Sequence, residues 1–534
     1  MLKKCLVGIL ILVLSLSMTL GGDLFAQQKK YKGTIVVSIL GADTQTTGPK
    51  EAYTALIEAY KKVQPDVQII IEAPTGPEYP RWAATQLANP NPRPDLISGN
   101  YVKAYDKYVD FNRYRYTINP YTGHKWDEDL DFTFFSAINP KGQRYMLPTQ
   151  AVHILWFYNK NIFKKVGIRA PKDWDEFAVI CGKIKSAGYI PLAFGGAYQH
   201  YKFPQWLHEI YWDQYNRDII NIVRAQPGDW NYDPEIDGKW KYNPNDPYND
   251  QEGVAVNINW LRFWKAFYEG KISYDTPGFR ECFINFRKII PKYNPPDFFT
   301  LTDDYPLFLQ QKAAITIDGT WMFPILNLDM KNLEATKQRL LEQAKKQGKT
   351  LQLETLQPFE WGTFENPPMR GRYIKGPVRS IESATGEYVS IIDKNPQQTE
   401  MVLDFVMFWL SPAGYQAYID GYIKSGRFTP GGPIMVRGIK LPKEYEAMFK
   451  DIKMLGNAET PLNQVIPSTT FGLPEGGEAD RKAYDTLVSF LQGKIDAKQF
   501  SAQIQKIYKD NLPTAMKASG ITLENILHPE RPGQ

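Results

Sequence analysis

The sequence has few of the residues on which catalysis, metal binding or a disulfide framework usually depends. Its 534 residues include only 3 cysteines and 5 histidines. His208-Glu209 is not followed by the second histidine of a zinc-protease helix. No G-x-S-x-G nucleophile turn occurs, and the segment 348–350 (GKT) lacks the earlier glycine of a phosphate-binding loop. These absences argue against several enzyme classes, whereas a secreted carbohydrate-active hydrolase stays open, because two distant carboxylates can form its site.

A strong charge of one sign is also missing. The 63 basic and 58 acidic residues give a net charge of +5 and are evenly dispersed, which argues against a nucleic-acid partner. Cys181 lies on the apolar face of a predicted helix, so a buried thiol is expected rather than a disulfide scaffold. The 43% hydrophobic fraction is typical of a globular protein, and the length exceeds what one core supports. We therefore expect two large lobes or more.

The first 26 residues have the pattern of a secretory signal peptide. Lys3 and Lys4 precede an uncharged apolar stretch at 5–20, which is short for a membrane span, and cleavage is expected after Ala26. A retained N-terminal anchor is the competing interpretation. Cys5 precedes the apolar stretch, so it is not placed as a lipoprotein acceptor, and we expect export to a periplasmic or other extracytoplasmic compartment without a lipid anchor.

Residues 145–196 contain the clearest secondary-structure signals. The continuous apolar run at 151–158 predicts a strand that is buried on both faces. Asn161 is the predicted N-cap of a short helix, and Asp173 is the predicted N-cap of the next one. A second strand at 190–194 then leads into Gly195-Gly196.

The chain before this segment predicts a βαβ unit. Strands at 34–40 and 67–71 flank a helix at 49–63, and a third strand begins at 95–97. In open α/β sheets, ligands bind beyond the carboxyl ends of the strands. The residues that follow the first and third strands are therefore expected near a cleft: Asp43, Thr44, Asn100 and Tyr101. Later in the chain we predict helices at 254–269, 306–312, 330–347, 396–410, 479–491 and 502–508, and strands at 313–317 and 388–392.

The segment 226–243 is unusually aromatic and has a central Asp237-Gly238 pair. This dipeptide is the strongest short hairpin signal, so a β-hairpin is predicted here. The alternative is a calcium loop, because Asp233 and Asp237 imitate the opening of an EF-hand. The twelfth position, however, is Pro244 instead of a bidentate glutamate.

Four segments also match a known family in its order. They are 148–177, which includes YNK and PKDWDEF; 93–96 (RPDL); 308–321, which ends in GTW; and 405–418 (FVMFWLSPAGYQAY). Together they resemble family 1 extracellular solute-binding proteins over about residues 33–515. The resemblance implies a type II periplasmic-binding-protein fold of class α/β, with two lobes joined by a multi-segment hinge. It places one lobe at 33–157 plus 386–428 and the other at 160–377 plus 432–525, with insertions near 226–300 and 330–358.

The same resemblance implies a function. It predicts the secreted component of an ATP-driven (ABC) importer, which captures a carbohydrate, most simply an oligosaccharide, by lobe closure and delivers it to a membrane permease. A monomer without a cofactor or metal is expected. The alternatives are the secreted hydrolase and the same fold with a non-sugar ligand, such as a peptide, a polyamine or a metal chelate.

The aromatic supply of the chain agrees with a sugar ligand. Its 13 Trp, 32 Tyr and 28 Phe provide flat faces for the C–H side of a sugar ring. Trp321, in the position of the G-x-W motif, is the main candidate, and packing beneath the following helix is its alternative. Three more candidates follow Gly195-Gly196: Tyr198, His200 and Trp206. The remaining ones are Gln150 and His153 on the predicted crossing strand, where His153 is alternatively an interior histidine, and Phe471 in a rim loop.

Overall fold

The fold is mixed α/β with two sheets, as predicted. The computed structural model describes residues 29–531 except 41–48, 73–78, 103, 133–142, 199, 253–254, 347, 349, 354–355, 386, 427, 451, 454, 461 and 464–476. The predicted signal peptide, Asp43, Thr44 and Phe471 lie outside the described residues. Within the described part of the chain, no helix combines the length and apolar character needed to cross a bilayer.

The strands, in chain order, are β1 Gly33–Ser38, β2 Val67–Ile71, β3 Leu96–Ser98, β4 Gln150–Asn159, β5 Ile190–Leu192, β6 Ala313–Gly319, β7 Trp361–Phe364, β8 Glu382–Thr385 and β9 Val389–Ile391. The helices are α1 Pro49–Val63, α2 Tyr79–Ala88, α3 Trp126–Asp129, α4 Lys160–Val166, α5 Trp174–Ser186, α6 His208–Asn216, α7 Ile220–Val223, α8 Trp260–Tyr268, α9 Pro277–Arg287, α10 Tyr305–Leu309, α11 Met322–Lys331, α12 Leu333–Lys346, α13 Pro396–Trp409, α14 Pro412–Lys424, α15 Lys443–Phe449, α16 Glu478–Leu491, α17 Ala497–Ala518 and α18 Leu523–Leu527.

The first sheet combines early and late parts of the chain. Its strand order is β2-β1-β3-β9, with β9 antiparallel to β3 and the other pairs parallel. Helices α1, α13 and α14 contribute to the apolar core of this sheet. Helices α1 and α14 approach closely at Gly421, where a Cβ atom would meet the Glu51 carbonyl oxygen at 2.5 Å. Residues from 389 onward are therefore needed to complete a sheet that starts at residue 33.

The second sheet is built around β4. Its order is β5-β6-β4-β7, and the start of β4 also pairs with β8. Alternate β4 side chains enter two different apolar clusters: Ile154 and Trp156 enter one, whereas Leu155 and Phe157 enter the other. The predicted burial of this strand on both faces is confirmed.

Three chain segments lie side by side where the two sheets meet. Leu147 forms a bridge with Val389 of the first sheet, and Gln150 forms a bridge with Ile434. From Ile154 onward, β4 pairs with β6 of the second sheet. This arrangement agrees with a hinge of several segments, while the lobe boundaries given above stay predictions.

Two local predictions need correction at helix starts. The N-cap of α4 is Asn159, whose side chain accepts a hydrogen bond from the Ile162 N–H, and the prediction of Asn161 was wrong. The helix predicted from residue 254 begins at Trp260 behind the cap Asn259. The Asp173 cap is confirmed, because its side chain accepts from the Glu176 N–H at 2.9 Å.

The predicted hairpin at 226–243 is wrong. The described residues between 224 and 260 contain turns and two isolated bridges but no strand. The Asp237 carboxylate instead accepts hydrogen bonds from the backbone N–H groups of Asp233 (2.8 Å) and Asn257 (2.7 Å). These bonds close a compact loop, which competes with strand pairing. Among the described residues, no group of three or more acidic, histidine or cysteine side chains is placed to hold a metal ion.

Candidate functional site

An aromatic strip lies where two parallel strands of the second sheet end. Strands β5 and β6 pair in parallel, so their carboxyl ends meet at the same edge. Beyond that edge, the ring of Trp206 lies 4.5 Å from Tyr201 and 5.7 Å from Trp321, measured between centroids. We call Tyr201, Trp206 and Trp321 the aromatic strip. The structure thus joins two predicted residues, Trp206 and Trp321, with Tyr201, which the sequence analysis missed.

A π-helical turn brings the first two rings of the strip together. Residues Lys202–Leu207 form this turn, in which the Trp206 N–H donates to the Tyr201 carbonyl oxygen at 2.9 Å. The i to i+5 spacing folds Trp206 back over Tyr201, and such turns are frequent at functional sites. Tyr201 is 44% exposed and Trp206 is 8% exposed, so the Tyr201 ring is open to solvent and the Trp206 ring against it is buried.

Gly319 explains how Trp321 is seated. A Cβ atom at residue 319 would lie 2.5 to 2.6 Å from the indole atoms Cζ3, Cε3 and Cη2 of Trp321. The six-membered ring of the indole therefore occupies the space that any side chain at this position would need. This close contact explains why the G-x-W motif combines a glycine with a tryptophan. Trp321 is half-buried, packs against two apolar clusters, and immediately precedes α11.

A buried charge cluster lies next to the strip. The Lys202 ammonium is 2.7 Å from Asp304 Oδ1 and 3.0 Å from Asp318 Oδ2. Burial alone would lower the pKa of Lys202, but the two carboxylates outweigh it and raise that pKa. For the acid Asp318, burial has the opposite effect and raises the pKa, and the neighbouring Lys202 ammonium offsets only part of that rise. A fully buried ion group of this kind needs close partners to be tolerated, and here it has them.

Gln150 connects two of the segments where the sheets meet. Its side-chain oxygen accepts a hydrogen bond from the Gly431 N–H, and the Thr320 hydroxyl donates to the Gly431 carbonyl oxygen at 2.6 Å. Thr320 also directly precedes Trp321 of the aromatic strip. Gln150 is therefore connected to the strip through Gly431 and Thr320. Its own side chain is buried, with 5% exposure.

His153 lies inside the junction between two glutamates. Its Nε2 is 2.9 Å from Glu365 Oε2, its Nδ1 is 3.5 Å from Glu382 Oε1, and the ring is fully buried. Burial opposes the charged imidazolium, but the hydrogen bond to Glu365 and the charge of Glu382 outweigh it and raise the pKa of His153. Glu382 in turn accepts from the Gly456 N–H and the Tyr248 hydroxyl. This geometry agrees with an interior histidine that stabilises the junction.

Tyr198 and His200 are occupied by protein contacts. The Tyr198 hydroxyl donates to Asp480 at 2.8 Å, and the Arg481 guanidinium lies 4.2 Å above the Tyr198 ring. His200 is 7% exposed, burial lowers its pKa, and its ring stacks on that of Tyr201 at a centroid distance of 5.1 Å. The structure therefore places His200 as a support for the strip and Tyr198 beside the start of α16.

The two described candidates of the first sheet follow β3. Tyr101 is 41% exposed, and its ring meets Tyr79 edge-on at 5.4 Å. The side-chain oxygen of Asn100 is buried and accepts no hydrogen bond from the described residues. Such an acceptor is costly while it stays unpaired, so a donor from outside the described residues is expected to complete it.

The comparisons with known proteins agree on one family. The model of the family described as "Bacterial extracellular solute-binding protein" matches residues 43–416. The melibiose/raffinose/stachyose-binding protein MelE of Bacillus subtilis (strain 168) is 27% identical over 179 residues, which are 33% of this chain and 38% of that protein. A probable sugar-binding periplasmic protein of Mesorhizobium japonicum is 36% identical over 73 residues, 13% of this chain and 17% of that protein. The chain thus spans well under half the length of these relatives.

Solved structures confirm the fold class. A family 1 extracellular solute-binding protein from Bifidobacterium longum subsp. infantis superposes with a TM-score of 0.54 and 15% identity, covering 90% of this chain and 100% of its own. The cyclic alpha-maltosyl-1,6-maltose binding protein from Arthrobacter globiformis gives a TM-score of 0.54 at 13% identity, covering 91% and 100%. At such identities the likeness is one of fold alone.

Proposed function

The chain belongs to the family of bacterial extracellular solute-binding proteins, and from that premise we propose that it captures an oligosaccharide for an ATP-driven importer. The observation that carries the proposal is the aromatic strip at the carboxyl ends of β5 and β6. The exposed ring of Tyr201 and the half-buried indole of Trp321, with Trp206 packed against both at centroid distances of 4.5 and 5.7 Å, offer aromatic contact area at low conformational cost. MelE of Bacillus subtilis binds melibiose, raffinose and stachyose, and a chitin oligosaccharide binding protein shares the fold.

The ligand is held in our proposal between the aromatic strip and groups of the first sheet. The exposed ring of Tyr101 and the unpaired oxygen of Asn100 are the described groups that would meet it there. Sugar hydroxyls can donate to the Asn100 oxygen, for which the described residues supply no donor, because each hydroxyl is both donor and acceptor. Asp43, Thr44 and Phe471 are assigned to the same cleft from the family resemblance.

Binding of this kind shifts a conformational equilibrium. A ligand that touches both lobes binds the closed arrangement more tightly, so it raises the closed population by its differential affinity. The closed form then docks on a membrane permease, and the sugar is released without any bond being made or broken. We propose an exported protein that acts as a monomer, without a cofactor.

A thermal-shift screen tests the proposal. The purified protein is heated with a panel of oligosaccharides and with a matched panel of peptides and polyamines, since a ligand of the native state raises the melting temperature. We expect stabilisation by oligosaccharides and unchanged sugar in the recovered sample. Stabilisation by the non-sugar panel alone would refute the carbohydrate assignment, and released monosaccharide would favour a hydrolase.

The Trp321→Ala variant tests the role of the strip. An anchor ring of this kind contributes about 2 kcal/mol or more, so we expect affinity for the identified sugar to fall about 30-fold or further. Trp230→Ala is the matched control, because Trp230 is 47% exposed and lies in the loop before α8. Calorimetric titration of both variants should show loss of affinity only for Trp321→Ala; equal affinities would contradict the assignment.

A further inference from the structure

Lys202 connects the three chain segments that form the edge of the candidate site. It begins the π-helical turn directly after Tyr201. Its ammonium reaches Asp304, the residue before α10, and Asp318, near the end of β6. All three side chains are buried, with residue exposures of 2% for Lys202, 4% for Asp304 and 6% for Asp318.

The cluster is complete without a ligand. Asp304 Oδ2 accepts from the Gly195 N–H at 3.4 Å, and Asp318 Oδ1 accepts from the Gly319 N–H at 2.9 Å. The other oxygen of each carboxylate faces the Lys202 ammonium. Since every carboxylate oxygen already has a protein partner, these groups have no need of a sugar hydroxyl, and their effect on binding must act through their neighbours.

Those neighbours are the rings of the aromatic strip. The turn that starts at Lys202 carries Trp206, and Asp318 adjoins Gly319, on which the indole of Trp321 rests. We propose that Lys202 is a positioning residue whose ammonium, held by Asp304 and Asp318, fixes the spacing of Trp206 and Trp321 and thereby sets the affinity of the site. This inference rests on the proposed function for its binding readout.

Loss of a buried ion pair also lowers stability, so the test needs a matched control. Lys202→Met removes the charge and keeps an apolar side chain of similar length. Arg262→Met breaks another ion pair of low exposure, because Arg262 Nε lies 2.6 Å from the buried Asp229 carboxylate in the loop before α8. Both variants are compared with the wild type at a temperature where each is folded, for affinity towards the oligosaccharide found in the thermal screen. We expect at least a tenfold loss for Lys202→Met and less than a twofold loss for Arg262→Met.

A double-mutant cycle with Trp321→Phe separates positioning from a general effect. If Lys202 acts through the rings, its replacement costs much less affinity in the Trp321→Phe background. The double variant then loses less binding free energy than the sum of the two single losses. Full additivity would overturn the proposal, as would equal losses for Lys202→Met and Arg262→Met. Lys202→Arg keeps the charge and is expected to recover most of the affinity lost in Lys202→Met; affinity no better than that of Lys202→Met would also count against it.

A readout without ligand keeps this inference distinct from the proposed function. In a crystal structure of Lys202→Met, or of the equally uncharged Lys202→Gln if the methionine variant does not fold, we expect the Trp206–Trp321 centroid distance to depart from 5.7 Å. If the wild type binds no oligosaccharide, the proposed function fails, and the ring distance alone decides the positioning role. An unchanged distance would refute that role whatever the ligand is.

Discussion

Replacing Gly319 by alanine is the most direct test of how the aromatic strip is built. The added Cβ would lie 2.5 Å from Cζ3 of Trp321 and 2.6 Å from Cε3 and Cη2, whereas ordinary contacts start at 3.4 Å. Because the three atoms belong to one rigid ring, no single atom can give way alone. The indole must therefore move as a unit by about 1 Å, away from the strand.

The size of the effect follows from the burial of this ring. Overpacking of a core costs about 1–3 kcal/mol, and the half-buried indole of Trp321 can move outward, which places the loss of stability near 1 kcal/mol. The same movement changes the 5.7 Å spacing to Trp206. If it removes half of an anchor contribution of about 2–3 kcal/mol, affinity falls about tenfold, since 1.4 kcal/mol is a factor of ten.

Calorimetric titration and thermal unfolding of Gly319→Ala measure both effects. Gly182→Ala is the control: Gly182 lies in α5, and its added Cβ would meet only the Tyr293 hydroxyl, at 3.4 Å. Alanine is the better helix former by about 1 kcal/mol, so this variant should be as stable as the wild type or more stable, with unchanged affinity. A Gly319→Ala protein with wild-type affinity would refute the reasoning that the G-x-W glycine seats the indole.

Three further predictions concern the stability of the molecule. The pKa of His153 is raised in the folded state, so protonated His153 stabilises the fold below about pH 6.5, and this stabilisation is lost as the pH rises through the raised pKa. The difference in melting temperature between the wild type and His153→Gln should therefore shrink as the pH rises. Arg379→Met leaves the buried Asp213 without one of its cationic partners and should lower the free energy of unfolding by about 3–5 kcal/mol in chemical denaturation; a loss below 1 kcal/mol would contradict a buried ion network. Cys181 and Cys282 are buried with raised thiol pKa values, so mass spectrometry should find them alkylated only after unfolding.

Much of the second sheet could be predicted, because its signals are local. The run of apolar and β-favouring residues at 151–158 favours a strand that is buried on both faces, and β4 is such an inner strand of the sheet. The Asp173 cap depends on residues within one helical turn and was predicted correctly. Asn159 and Asn161 are both good caps, and the choice of Asn159 reflects the end of β4, which single-residue preferences do not contain.

The failures have two physical origins: partners that are distant in the sequence, and one irregular local turn. Asp237-Gly238 favours a hairpin locally, but the Asp237 carboxylate is held by Asn257, twenty positions away. Tyr201 was missed because its contact with Trp206 depends on a π-helical turn, whose i to i+5 hydrogen bond leaves no periodic pattern. The Lys202 cluster joins residues about a hundred positions apart, and no spacing rule connects them.

The pairing of β3 with β9 has a consequence for how the molecule is made. Leu96 pairs with Ile391, so the edge of β3 stays bare while most of the chain is being synthesised. Exposed edges of this kind invite pairing with other chains, and long-range pairing slows folding. A product truncated before residue 389 should therefore aggregate even though it contains every strand of the second sheet, and a newly made chain gains from being kept unfolded until β9 and α14 have emerged.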